Sequence, residues 1–235
     1  MTATDSSIAA AGRAGVRLGA NGETTSQGDS VAYHLDNFRL IPPLTDSKGT
    51  NDGAYSYGGF TLKVPGALSG DTDTAVTFDG STGYGTIPDA AAIDVGDLFS
   101  FEAWIKRADS ATTTQTVAQK GSTGFKIGFA GNRFTLWKDG TAVAIASTTT
   151  TQTDTAAYHH YVVTKNAGTV KLYVDGVDVS GVVVNSTIAD TTSALYLNAG
   201  NGTSEFFNGT LDEVALYNTA LTATTVQQHY DFGHS

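Results

Sequence analysis

The 235-residue chain has no cysteine, only four glutamates and four prolines, and a single methionine. Without thiols it has no disulfide framework, cysteine nucleophile, thiolate metal site or iron–sulfur cluster. A chain this long can bury a full core without such staples. Charged residues make up only 15% of it, against about 25% in an ordinary globular protein. The 13 basic residues are outnumbered by 23 acidic ones, for a net charge of −10. That balance excludes nucleic acid as a partner, because phosphate recognition needs clustered Lys and Arg. No run approaches the roughly 18 consecutive apolar residues of a membrane helix. Residues 1–20 carry Asp5 early and Arg13 and Arg17 late, with no apolar core of about 7 residues between them, so no secretion signal is expected there.

What is present is glycine, 27 of 235 residues, and apolar residues recurring with period two between clusters of Gly, Asn, Asp and Thr. Ala75–Asp79 is one such segment. In Phe99–Lys106, Phe99, Phe101, Ala103 and Ile105 fall on one face and Ser100, Glu102, Trp104 and Lys106 on the other. Phe125–Phe129 and Arg133–Lys138 are joined by Ala-Gly-Asn, a hairpin signal. Tyr158–Lys165, Thr169–Val174, Ala194–Ala199 and Gly209–Tyr217 follow. The short spacing of turns predicts an all-β, antiparallel two-sheet sandwich, because a parallel sheet would need helices between its strands. One helix is expected over Thr222–Tyr230, with Thr222 as its N-cap. The pattern x-Leu-Asp-x-apolar-x-Leu occurs at His34–Leu40 and again at Thr210–Leu216. Residues 1–44, ending in Ile41-Pro42-Pro43-Leu44, therefore read as a short β-rich N-terminal arm or the remnant of an upstream β-domain, unless the echo is a coincidence of two strands. The main domain is expected over residues 45–235.

Four stretches, in order, resemble the concanavalin A-like, laminin G-like (LamG) jelly-roll family. They are Asp46–Gly53 with Ala75–Gly80; Phe99–Ile105; Tyr158–Thr164 leading to Leu172-Tyr-Val-Asp-Gly176; and Asn208–Tyr217 with Ala220-Leu221. The family usually has Trp where Tyr158 stands, which bears on the packing of that corner. The resemblance implies a jelly-roll sandwich, and the family consists mostly of non-catalytic modules that bind glycans or proteins, often on larger surface or virion proteins.

Enzyme chemistry finds little purchase. Glycoside hydrolysis needs two carboxylates facing one site, yet Glu23, Glu102, Glu205 and Glu213 each lack an acid two residues away. Asp212 and Glu213 are adjacent, so on a regular strand they face opposite ways. Asp212 is expected on the same face as Val214 and Leu216, where a carboxylate needs a backbone N–H, a lysine or a hard cation as partner. The resemblance implies the cation, since such domains often carry a structural Ca²⁺ linking first and last strands, with Asp46 and Asn51 in the loop Asp46–Gly53 as the other ligands. For glycan stacking, exposed aromatics are needed. Trp137 lies on the strand face opposite Phe134 and Leu136, and Tyr55, Tyr57, Phe206 and Phe207 lie in expected loops. All five are candidates, against the alternative that each packs on its own loop. The expected function is a non-catalytic adhesive component of an extracellular assembly, such as a phage virion decoration or tail-associated protein. There the arm would dock on neighbouring subunits and the sandwich would touch glycans. The alternative is a carbohydrate-binding module of a secreted multidomain bacterial protein.

Overall fold

The computed structural model describes residues 42–56, 58–139, 141 and 143–234. The expected arm, residues 1–44, lies almost wholly outside them. In chain order the strands are β1 (Ala54–Tyr55), β2 (Phe60–Val64), β3 (Ala75–Asp79), β4 (Gly85–Ile87), β5 (Leu98–Arg107), β6 (Thr114–Lys120) and β7 (Phe125–Ala130). Then come β8 (Arg133–Lys138), β9 (Ala144–Ser147), β10 (His159–Asn166), β11 (Thr169–Val174), β12 (Val177–Asp178), β13 (Leu195–Leu197), β14 (Asn208–Tyr217) and a helix, α1 (Ala223–Gly233). The strands form two seven-stranded antiparallel sheets, ordered β1-β4-β13-β6-β7-β8-β9 and β12-β11-β10-β5-β14-β3-β2. The described residues form the antiparallel two-sheet sandwich that the alternation predicts and the jelly roll that the resemblance implies.

The core lies between the sheets. Phe99, Phe101, Ala103 and Ile105 of β5 share it with Phe125, Ile127 and Phe129 of β7 and Phe134 and Leu136 of β8. Phe129 has Phe134, Tyr161 and Phe207 around it at ring distances of 5.7, 5.4 and 5.9 Å. Three of the scarce cations are buried inside. Arg107 and Lys165 are at most 1% exposed and Lys120 is 2% exposed. Lys120 pairs with Asp89 at 2.6 Å and Asp94 at 3.0 Å, Lys165 with Asp97 at 2.8 Å, and the Arg107 guanidinium lies 4.4 Å from the Phe129 ring centroid.

The outer face of the second sheet is also covered. Trp104, on the polar face of β5, stacks on His160 at 5.1 Å and on Tyr230 of α1 at 6.0 Å. The helix begins where expected, with the Thr222 hydroxyl accepting from the Thr225 N–H. Gly233 ends it against the indole, so close that a Cβ there would come within 2.4 Å of Trp104 Cζ2. On the other side, the segment after β12 lies along edge strand β9. Gly181 N–H donates to Ser147 O, Val184 N–H to Ile145 O and Thr149 N–H to Val179 O, at 2.7–2.9 Å.

Strand β14 departs from simple alternation in a way that bears on Asp212. Against β5, β14 pairs Asp212 with Trp104 and then Ala215 with Glu102, with a bulge between them at which Glu213 takes φ 47°. The extra residue reverses the faces. Leu211 and Leu216 both meet the core, while Asp212 shares the outer face with Trp104. The expectation that Asp212 and Leu216 lie on one face is thereby corrected.

Candidate functional site

The outer face of the first sheet carries a cross-strand row. Successive pairs put Thr86 of β4 opposite Tyr196 of β13, Tyr196 opposite Gln119 of β6, Gln119 opposite Lys126 of β7, and Lys126 opposite Trp137 of β8. Side chains opposite each other on one face are in contact range, and Tyr196 to Trp137 spans three strand spacings, about 14 Å. The row combines flat aromatic surface, an amide and one cation. Lys126 Nζ lies 4.9 Å from the centroid of the Trp137 ring, a cation–π contact. Tyr84 extends the aromatic end, 6.1 Å from Tyr196.

A hairpin closed by the Gly200–Ser204 bridge leans on this row. Asn198, Asn201, Gly202 and Glu205 all have positive φ, a conformation that β-carbons resist. A Cβ on Gly202 would meet Tyr196 and Tyr84 at 3.0 and 3.2 Å, and one on Gly200 would meet Gln119 Oε1 at 3.3 Å. Glu205, at the base of the hairpin, accepts from Lys126 at 2.9 Å and from the Thr116 hydroxyl at 2.9 Å. Gln119 donates its amide N–H to Asp139, while its Oε1 is buried without a hydrogen-bond partner. Such an orphan acceptor is unusual in a folded protein and, on a residue only 2% exposed, suits a buried water.

The residues expected from sequence distribute as follows. Trp137 belongs to the row, but it is 5% exposed, so the expectation of an open indole is corrected: Lys126 lies over its ring. Phe207 is 0% exposed, inside the core beside Phe129, which corrects its placement in a binding loop. Phe206 is half-buried beside β6, bridged to Thr116. Tyr55 is half-buried in β1, stacked on Phe60 at 4.9 Å. Tyr57 lies outside the described residues. Tyr84, Tyr196, Gln119, Lys126, Asp139 and Glu205 were not singled out by sequence, because a lone Gln or Tyr in a strand looks like any other alternating residue until the register is known.

Of the expected Ca²⁺ ligands, Asp46 and Asp212 each accept hydrogen bonds from the protein's own groups. Asp46 is engaged within its own loop, accepting from the N–H groups of Lys48, Gly49 and Asn51 and from the Asn51 amide. These bonds, that from Lys48 foremost, hold its carboxyl down at about 2. Asp212, 5% exposed, accepts from Ala67 N–H at 2.7 Å. The neighbour of Asp212 instead joins a different group: carboxylate oxygens of Asp71, Asp73 and Glu213 lie within 4.8 Å of one another. Desolvation, then Asp73, then Asp212 and Asp71 push the Glu213 carboxyl up to about 7. Hard carboxylate oxygens gathered against their own repulsion are the donor chemistry that Ca²⁺ takes. The three exposed carboxylates offer donor chemistry that fits that ion.

A family model described as the concanavalin A-like lectin/glucanases superfamily matches residues 79–227, more than half of the chain. The chain belongs to this superfamily. Among solved structures, domain 4 of AbnA, a GH43 extracellular arabinanase from Geobacillus stearothermophilus in complex with arabinotriose, aligns with TM-score 0.62 and 21% identity over 81% of this chain and 92% of that one. The binding domain of Paraclostridial mosquitocidal protein 1 aligns at TM-score 0.59 and 14% identity over 80% and 50% of the two chains. The binding domain of botulinum neurotoxin DC in complex with SialylT does so at 0.54 and 12% over 77% and 46%. This superfamily member thus spans nearly all of the arabinanase domain and about half of each toxin domain, and at these identities what they share is the fold. No curated protein sequence matches. No helix among the described residues is long and apolar enough to cross a membrane.

Proposed function

We propose that the chain is a non-catalytic, carbohydrate-binding lectin-like domain of an extracellular protein, and that the outer face of its first sheet receives the sugar. The observation that carries this is the row Tyr196–Gln119–Lys126–Trp137. It sets the half-buried Tyr196 ring, flanked by Tyr84, beside the partly exposed polar groups of Lys126 and Glu205, the mixture of apolar surface and convergent polar atoms that small-molecule sites use. The arabinanase domain bound to arabinotriose and the toxin domain bound to SialylT support the reading through their shared fold. A binding rather than hydrolytic role follows from how the carboxylates of the face are used. Glu205 is tied to Lys126 and Thr116 and Asp139 to Gln119, which leaves no acid and nucleophile facing each other across a free gap. The test is a glycan array followed by titration with the best ligand. Tyr196→Ala should weaken binding at least about tenfold while the melting temperature stays within a few degrees. No binding to any glycan, or undiminished binding by the variant, overturns the proposal.

A structural Ca²⁺ at Asp71, Asp73 and Glu213 belongs to the same reading. Its contribution would be to neutralise the three carboxylates and fasten the loop before β3 to the bulge of β14. As to setting, the likeness to a complete appended domain of an extracellular enzyme favours a module of a secreted multidomain protein. The other setting, an adhesive component of a virion or similar assembly docked through residues 1–44, rests on the arm ahead of Pro42-Pro43. Deleting residues 1–41 separates the two. Loss of assembly with glycan binding intact supports the second, and unchanged behaviour in both supports the first.

A further inference from the structure

The sheet row faces outward with one cation, and that cation is already committed. Lys126 gives its charge to Glu205 at 2.9 and 3.3 Å and to the Trp137 ring at 4.9 Å. Farther along β8, Arg133 lies four residues from Trp137, about 13 Å along the strand. It donates to the carbonyls of Thr148 and Thr149. Lys120, the next residue after Gln119, is 2% exposed and paired with Asp89 and Asp94. Against these stand the carboxylates of Asp139 and Glu205 and a chain net charge of −10. Resting on the glycan reading above, we propose that this site selects uncharged glycans and rejects those bearing sialate or uronate groups.

The physical argument has three parts. A sugar carboxylate brought to the row loses its hydration, and no described side chain of the row repays that loss with a free positive charge. It also meets like charge at contact range from Glu205 and Asp139, and at longer range from the acidic molecule as a whole. A neutral sugar has the reverse experience. Its hydroxyls donate to carboxylate and amide oxygens, and a hydrogen bond to an ionised acceptor is the stronger kind. Glu205 therefore acts as the specificity residue: it neutralises the cation that an acidic sugar would use.

The full-length protein is applied to an array of neutral oligosaccharides, each beside its sialylated or uronate counterpart, and the best pair is then titrated in solution. Wild type should prefer the neutral member by roughly tenfold or more, the value of one charge-assisted hydrogen bond. Glu205→Gln keeps the side chain's shape and its contact with Thr116 while releasing Lys126, and should shift the ratio toward the acidic member by a similar factor. Equal or tighter wild-type binding of the acidic member overturns the proposal and leaves the glycan reading standing. A Glu205→Gln protein with an unchanged melting temperature and an unchanged ratio overturns the role of Glu205. Absence of binding to both members of every pair removes the glycan reading and this inference with it. If Glu205→Gln does not fold, Lys126→Met supplies the second reading: by removing the cation outright it should sharpen the preference for neutral sugars, and a shift toward acidic ones counts against the proposal.

Discussion

Glu102 sits under α1 with three partners: Tyr217 donates to it at 2.5 Å, His229 lies at 3.0 Å and His160 at 3.5 Å. Burial alone would raise its pKa, but the hydrogen bonds from His160, His229 and Tyr217 outweigh it and hold the carboxyl at about 2, against an ordinary value of 4.5. A carboxyl held low stabilises the fold while ionised. Its contribution is complete above pH 4.5 and drains away between there and about 2. His159 behaves in the opposite sense. Its pKa is raised above 6.5 by Asp175 at 2.7 Å, against some desolvation, and further by Asp154 at 3.2 Å, so its contribution is present below pH 6.5 and is lost as the pH climbs through the raised value. Thermal melts across pH should therefore show greatest stability between roughly 4.5 and 6.5 from these two groups. Glu102→Gln should lower stability at neutral pH by about 1–3 kcal/mol and flatten the acid limb, and His159→Asn should flatten the alkaline one. An acid limb unchanged in Glu102→Gln would show that other carboxyls govern it.

At the scale of elements, the bulge of β14 and the cap of α1 make separable predictions. A non-glycine residue at φ 47°, as Glu213 is, costs roughly 1–2 kcal/mol that glycine would not. Glu213→Gly in chelator should therefore melt higher than wild type. Millimolar Ca²⁺ should raise the wild-type melting temperature and leave Glu213→Gly unmoved, whereas no Ca²⁺ response in wild type would dispose of the ion. Thr222→Ala should cost about 1 kcal/mol through loss of the N-cap, read by chemical denaturation. These two elements also mark what could be read from sequence. Thr222 is a local signal, and the helix started where it was expected. The alternation of Phe99–Lys106 placed its residues correctly on both faces, including Trp104 on a covered one. The bulge left no such mark: Leu211, Asp212, Val214 and Leu216 alternate acceptably in the wrong phase, and only pairing with β5 reveals the extra residue. Trp137 was placed on the right face with the wrong exposure, because the side chain over it, Lys126, comes from the neighbouring strand. Asp46 was a reasonable cation ligand by type, and its own loop took all its lone pairs. In the row, β6, β7 and β8 follow one another in the chain, but β13 and the hairpin that carries Glu205 come from far along it, and no local pattern encodes that pairing.

For the molecule as a whole, the described residues by themselves supply two seven-stranded sheets and the core between them. A chain beginning at Pro42 should consequently unfold in one cooperative transition within a few degrees of the full-length protein, by circular dichroism or calorimetry, and a large loss would show that residues 1–41 contribute to the sandwich. The strand that flanks Trp137 bears on life at high density. Edge strands are where β-proteins join one another uninvited, and here the Ile145 and Ser147 carbonyls of β9 accept from the Val184 and Gly181 N–H groups. At another margin, β2 carries Lys63 at φ 61°, a charged kink that spoils a flat docking line. At these two margins the sheet thereby resists joining a neighbouring copy, whether copies stand in tandem along a chain or arrayed on a particle.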